Sequence, residues 1–247
     1  MALISLTDLG VRFETDRPIL EAIDLQIEDG EFVSILGPSG CGKSTLLRVI
    51  AGLTPPTHGT VQVGENTRAP RLGFVFQEPA LLPWRTVREN IRLPLELDRA
   101  LDSTREQEIG RQLQRLGLQA KDESKFPRML SGGMKMRAAL ARALIVHPQI
   151  LLFDEPFAAL DELLRLELNE DLLRLWGEKR WSAVFVTHNI TEAIFLSQRV
   201  ILMDSQPGRI LEEVAVPFEY PRPESLRQSQ AFVELLGRVA STLRGNR

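Results

Sequence analysis

Cysteine is nearly missing from this sequence. Cys41 stands alone, so no intramolecular disulfide framework can form, a usage that fits a reducing compartment. No run approaches the roughly 18 apolar residues that a membrane span needs, so any contact with a membrane is expected to pass through a partner. Positive charge is not in excess either: 30 Lys and Arg stand against 33 Asp and Glu, for a net charge of −3. The basic residues are spread along the chain, and the balance gives no sign of a nucleic-acid partner. The opening "MALISLTDLG" lacks a basic stretch and reaches Asp8 too soon for a secretory signal, so the expected location is cytoplasmic. Neither an internal repeat nor a low-complexity tract occurs.

What is there suffices for one large domain. The 247 residues are 43% hydrophobic and 26% charged, the ordinary balance of a globular protein with a real core. "EFVSIL" (31–36) is a short β-rich run that leads into "GPSGCGKST" (37–45) and then the helical "KSTLLRVIAGL". The runs "ISL", "VRFE" and "TVQV" (60–63) predict short antiparallel strands separated by turn signals such as "EDG", "PPTHG" and "GEN". "LGFVFQ" (72–77) predicts a further apolar strand. Between 87 and 147 apolar residues recur at three and four positions, a helical period, with Pro94 expected to break or kink the first helix. "QILLFDEP" and "SAVFVTH" are near-continuous apolar runs, as in a parallel sheet covered on both faces. A long amphipathic helix lies between them. The pair "RVILMD" and "GRILEEVAV" then precedes a Pro-rich break and a last helix over 224–244.

Strand, glycine-rich loop and helix in that order are the context a phosphate loop requires. Gly37, Gly42, Lys43 and Ser44 complete the G-x-x-x-x-G-K-[ST] pattern. Its glycines let backbone amides approach phosphate oxygens, Lys43 adds a point charge, and Ser44 offers an oxygen to Mg²⁺. Pro38, Ser39, Gly40, Cys41 and Thr45 complete the nucleotide-binding stretch, with Cys41 as a small filler. "ILLFDEP" brings Asp154 to the carboxyl edge of a strand, where ligands bind in open α/β sheets. Consecutive strand-end side chains diverge, so Asp154 is assigned to the Mg²⁺ shell and Glu155 to polarising the attacking water. His188 reaches toward the γ-phosphate from an adjacent strand, and Gln77, ending another, is placed to sense metal or water. The chemistry that such a set serves is phosphoryl transfer, which is mostly positioning and charge neutralisation.

A second glycine turn, "LSGGMKMR" (130–137), sits before another helix, and such a terminus attracts anions. In order and spacing, these motifs resemble the nucleotide-binding subunit of ABC transporters: the phosphate loop, the Gln77 loop, "LSGGM", "ILLFDEP", "ALD" (159–161) and His188. The resemblance implies a mixed-sheet α/β fold of the P-loop NTPase (RecA-like) type, with an antiparallel β subdomain and an inserted α-helical subdomain. It implies one ABC ATPase domain over 1–247. Residues 1–85 and 148–215 would form the nucleotide-binding core, 86–147 the helical signature subdomain and 216–247 a helical extension. It also answers why one chain carries two phosphate turns. In that family two subunits pack head to tail, so Ser131, Gly132 and Gly133 of one complete the cage begun by Lys43 of the other, with Asp161 beside them. The implied ligands are ATP and Mg²⁺, and the implied partners a second ATPase subunit, separate permease subunits and, indirectly, a solute-binding protein. The implied location is peripheral on the inner face of the cell membrane.

Three positions depart from the family's usual pattern. Met134 stands where Gln ends the signature, Ala158 stands where Ser is common, and Phe13 takes the place of the usual adenine-stacking Tyr. "EPALLPW" (78–84), "MKMR" and the segment 199–210 resemble the importer branch for nitrate, sulfonate, taurine and related small solutes; a thiamine-precursor-like pyrimidine importer shares much of this look. A soluble ABC-type protein of repair or translation, a P-loop kinase and a non-hydrolysing sensor are the rival readings. The first lacks room for an inserted coiled coil between Gly42 and Leu130. The second would not need "LSGG", and Glu155 argues against the third. Trp84, between Pro83 and Arg85, is read as an anchor for the membrane subunit or, alternatively, as a local core plug.

Overall fold

In the computed structural model, residues 2–13, 17–64, 70–204 and 207–245 are described. Glu65 and Asn66 of the turn signal "GEN" and two residues of the 199–210 segment fall outside that range. Three runs in which every residue is buried make the centre: Phe32–Leu36, Ile150–Asp154 and Ser182–Thr187. Counting along the chain, these are β3, β6 and β7, preceded by β1 (Ala2–Arg12) and β2 (Pro18–Glu28), with β4 (His58–Val63) and β5 (Leu72–Val75) lying between β3 and β6. With β8 (Arg199–Met203) and β9 (Ile210–Ala215) they build a six-stranded sheet ordered β5-β6-β7-β3-β8-β9. All neighbours in it are parallel except β8 and β9.

Period-two alternation sends alternate side chains to opposite faces, and both faces are covered. Val33, Ile35, Leu152, Val184, Val186 and Ile201 pack against helix α1 (Lys43–Ile50) and the antiparallel sheet β2-β1-β4. Phe32, Leu151, Phe153 and Phe185 pack on the other side with α4 (Gly132–Leu144), α5 (Glu162–Lys179) and α6 (Ile190–Leu196). Trp176 is fully buried there, and its indole N–H donates to the Trp181 carbonyl at 2.9 Å. That bond satisfies the one polar atom such a ring carries into a core.

Several elements differ from the sequence expectation. The runs "ISL" and "VRFE" are not separate strands: positions 4–6 and 11–12 belong to the single strand β1, and Glu14 lies outside the described residues. A register shift between Leu6 and Leu9, with Asp8 at φ 48°, breaks the alternation midway. Helix α2 (Val87–Leu97) continues through Pro94. A proline costs the helix one backbone donor, but its carbonyl still accepts from Asp98 N–H at 3.0 Å, and Glu96 ion-pairs with Arg92 on the same helix at 2.7 Å. Helix α3 (Ser103–Arg115) follows, and α2 and α3 both pack on α4. At the far end, 224–228 form a 3-10 turn and the last helix, α7 (Gln230–Gly245), begins later than expected. The preceding segment is pinned by Arg222, whose buried guanidinium donates to the carbonyls of Ile194, Phe195 and Ser197 at the end of α6.

Candidate nucleotide site

The glycine loop leaves the central strand β3 at Leu36, level with Thr187 of β7. Gly42, at the mouth of α1, has φ +94°, and a Cβ there would stand 2.6 Å from Leu20 Cδ2. Only glycine fits both the left-handed backbone and that approach. Lys43 opens the helix yet is only 4% exposed; its ammonium donates to the carbonyls of Gly37 at 2.9 Å and Pro38 at 3.0 Å. The loop thus curls around its own cation. Cys41 is buried beneath, and burial pushes its thiol above the ordinary value, with Lys43 opposing. Such a thiol packs and does not react.

Neighbouring strand ends supply the rest. Asp154 ends β6, and its Oδ1 accepts from Ser44 Oγ at 2.6 Å. Glu155, the next residue, takes φ 45°, a left-handed value that non-glycine residues rarely adopt. The turn throws its side chain away from Asp154: Oε1 lies 3.5 Å from Lys43 Nζ, and Oε2 lies 2.8 Å from His188 Nδ1. His188 follows β7 directly and is half exposed. Strand β5 stops at Val75, so Gln77 lies two residues beyond the strand end where it was expected and is exposed at the rim.

These groups surround a cleft of about 870 Å³, lined by Ser39, Gly40, Gly42 to Thr45, Gln77 and Glu155. Gly37, Pro38 and His188 line an adjoining cavity of about 700 Å³ that shares Ser39, Gln77 and Glu155. Arg17, Pro18, Ile19 and Pro207 also line the first cleft, and sequence reasoning missed them. They arrive through a long-range contact, in which Gly208 N–H donates to Ile19 O and Glu21 N–H to Gly208 O. Phe13 lies one residue past β1, is 52% exposed and is not among the lining residues.

Ser131 and Asp161 lie elsewhere. Ser131 caps α4, accepting from Met134 N–H at 3.3 Å, and Asp161 caps α5, accepting from Leu164 N–H at 3.0 Å. The two helix starts are in contact: a Cβ on Gly133 would sit 2.5 Å from Leu164 Cδ2, and one on Gly132 would sit 3.4 Å from Leu160 Cδ2. Ser131, Gly132 and Asp161 form one exposed edge, with Gly133 buried behind it. None of them lines either cavity of its own chain.

The Ser44 hydroxyl and the Asp154 carboxylate are hard oxygen donors at one point beside the phosphate loop. Among the described residues no cluster of three or more acidic, His or Cys ligands occurs. Two protein oxygens suit Mg²⁺, which is commonly held by one or two protein ligands plus water and substrate phosphates.

A model of the ABC transporter family matches residues 20–158. The aliphatic sulfonates import ATP-binding protein SsuB 1 of Agrobacterium fabrum is 44% identical over 229 residues, spanning 90% of this chain and 80% of that one. SsuB of Bacillus cereus is 42% identical over 224 residues, spanning 90% and 86%. A Brucella abortus protein named only as ATP-binding is 42% identical over 223 residues, spanning 89% and 85%. Among solved structures, the dimeric cassette MJ0796 superposes with a TM-score of 0.76 at 32% identity, covering 87% of this chain and all of that one. The same cassette as a dimer bound to ADP and Pi after hydrolysis gives 0.75 at 32% identity, with the same coverage.

Proposed function

The chain belongs to the ABC transporter family, and from that premise we propose that it powers a bacterial importer of a small anionic solute of the nitrate, sulfonate or taurine kind. It is an ABC ATPase, and its relatives are named for aliphatic sulfonate import. No helix among the described residues is long and apolar enough to cross a membrane, so in this reading separate permease subunits supply the passage. The chain sits against them on the inner face of the membrane, and a solute-binding protein selects the cargo. The reading keeps 1–247 as one ATPase domain, with 1–85 and 148–215 as the core, 86–147 as the helical part and 216–247 as an extension. The packing of α2 and α3 on α4 supports that division.

One observation carries the chemistry: the polar and charged groups converge at the ends of adjacent parallel strands as a pair, Ser44–Asp154, and a triad, Lys43–Glu155–His188. Lys43, now held by loop carbonyls, swings its charge to the terminal phosphates of ATP. Glu155, released from that ammonium, takes a proton from the attacking water, while His188 holds the other carboxylate oxygen and faces the γ-phosphate. Ser44 and Asp154 would hold Mg²⁺, which would supply charge neutralisation at the phosphates. Gln77 reports on metal or water from the rim, and the exposed ring of Phe13 stacks on adenine. In this reading the edge formed by Ser131, Gly132, Gly133 and Asp161 closes the cage of a second, identical subunit. Its absence from the lining of either cavity of its own chain supports that arrangement.

Complementation tests the shared cage. Ser131→Arg and Lys43→Ala are each expected to be inactive alone. Mixed one to one, they should regain up to about a quarter of parental phosphate release, because half the pairs then hold one intact site. Parental activity of Ser131→Arg alone, with no gain on mixing, would mean that each chain hydrolyses ATP unaided.

A further inference from the structure

His188 is 52% exposed, so its neighbours' packing does not fix its direction; the backbone turn beneath it must. That turn is closed by a ring of three hydrogen bonds. Thr187 Oγ1 donates to Glu192 Oε2 at 2.6 Å, Asn189 N–H donates to Thr187 Oγ1 at 3.0 Å, and Glu192 N–H donates to Asn189 Oδ1 at 3.1 Å. Thr187 and Glu192 are 3% and 5% exposed. His188 is the residue the ring encloses along the chain, and its imidazole leaves toward Glu155.

We propose that Glu192 is a positioning residue for ATP hydrolysis: its carboxylate locks the turn that aims His188 at Glu155 and ties that turn to α5, the helix that Asp161 begins. The inference rests on the roles proposed for Glu155 and His188.

A capping role does not account for this carboxylate. Glu192 is the third residue of α6, and a glutamate there ordinarily reaches back to the backbone N–H of the capping residue. Here that N–H, on Asn189, is taken by Thr187, and the carboxylate binds the threonine instead. Burying a carboxylate is costly, and burial pushes this one above its ordinary value, with the Thr187 hydrogen bond and the charge of Arg165 opposing. Its second oxygen, Oε1, has no completed hydrogen bond among the described residues. Two side chains of α5 face it: Asn169, also buried, and Arg165, while His188 contributes charge from the turn itself. Asn169 Oδ1 and Arg165 Nε likewise lack completed bonds. These groups meet where α5 passes the turn; Asn169 also acts as a hydrogen-bond partner that lowers the Glu192 carboxyl, and the Arg165 guanidinium pairs with Glu162 through another of its nitrogens.

Steady-state ATPase measurements on the full chain test the ring. Glu192→Ala and Thr187→Val should each lower kcat by about tenfold or more, with KM for ATP within about twofold, as misplacement of a reacting group does. The double variant should be no worse than the poorer single, since both break one unit. Glu192→Gln keeps an oxygen that accepts from Thr187 and should stay within about threefold of the parent. Parental turnover in Thr187→Val, which removes one hydroxyl and little volume, overturns the proposal even if Glu192→Ala fails to fold. A loss in Glu192→Gln as deep as in Glu192→Ala overturns it too. His188→Ala is the reference. If it loses turnover while Glu192→Ala does not, the ring alone is wrong; if it keeps parental turnover, the role given to His188 falls and the ring falls with it.

Discussion

Glu155 shows how much a single residue must reconcile. Its backbone is held at φ 45° by an N–H bond to Val186 O at 3.0 Å, a conformation that costs of order 1 kcal/mol for a side chain with a Cβ. In return the carboxylate is turned out of the Asp154 direction and lies between an ammonium and an imidazole. Replacing it by the isosteric amide keeps the shape and removes the basicity. Glu155→Gln should therefore bind ATP as the parent does, yet release phosphate about 10²–10⁴ times more slowly, the span expected for a lost general base. Turnover within tenfold of the parent would assign the base elsewhere. Gly42, Lys43 and Ser44 were legible from the spacing of the loop pattern, and Asp154, Glu155 and His188 because each follows a short apolar run that fixes where its strand ends. Arg17, Ile19 and Pro207 were not: their place in the cleft depends on Ile19 and Glu21 meeting Gly208 across the chain, and nothing local announces a pairing of that separation.

At the scale of elements, legibility followed burial. β3, β6 and β7 are apolar throughout because helices and a second sheet cover both faces, and such runs stand out in sequence. β2 was missed. Its burial alternates only over Ile23 to Ile27, Glu21, Asp24 and Gln26 dilute the apolar signal, and its partner β1 is itself broken by the bulge at Asp8. Apolar spacing placed the starts of α2, α3, α4 and α5, while α6 was missed and α7 begins later than expected; α2 shows a cap that was not used to place it. Thr86 accepts from Glu89 N–H at 3.3 Å, while the Glu89 carboxylate takes the Thr86 N–H at 2.7 Å, a reciprocal pair that satisfies two donors the helix would leave open. Thr86 N–H and hydroxyl together pull the Glu89 carboxyl below its ordinary value. Thr86→Ala should lower unfolding free energy by about 1 kcal/mol, read as a small drop in the denaturation midpoint with no change in phosphate release from the isolated subunit. A drop in release of tenfold or more would show that α2 is coupled to the nucleotide site and is more than a scaffold.

The whole molecule presents its chemistry on separate surfaces: the cleft at the strand ends, the Ser131–Asp161 edge, and a third around the exit of β5. There Phe76, Leu82, Leu93 and Leu97 border a groove of about 610 Å³ between the segment after β5 and the helices α2 and α4. Trp84 stands 71% exposed and Leu97 74% exposed beside it. That exposure disposes of the core-plug reading of Trp84, since a plug would be covered. Large apolar side chains left in water mark contact surfaces, and tryptophan is the residue most enriched among interface anchors. The segment begins at Gln77, on the rim of the cleft, so whatever grips Trp84 also bears on that rim. In the importer reading proposed above, this surface would receive the permease subunits. Trp84→Ala should leave the melting temperature and the phosphate release of the isolated chain close to parental, because the ring supports nothing inside it. Reconstituted with its permease, the variant should bind more weakly and hydrolyse ATP with little solute uptake per phosphate, for the mechanical link is cut while the site is intact. Equal loss of activity in the isolated chain would place Trp84 within the ATPase and require another surface for the permease.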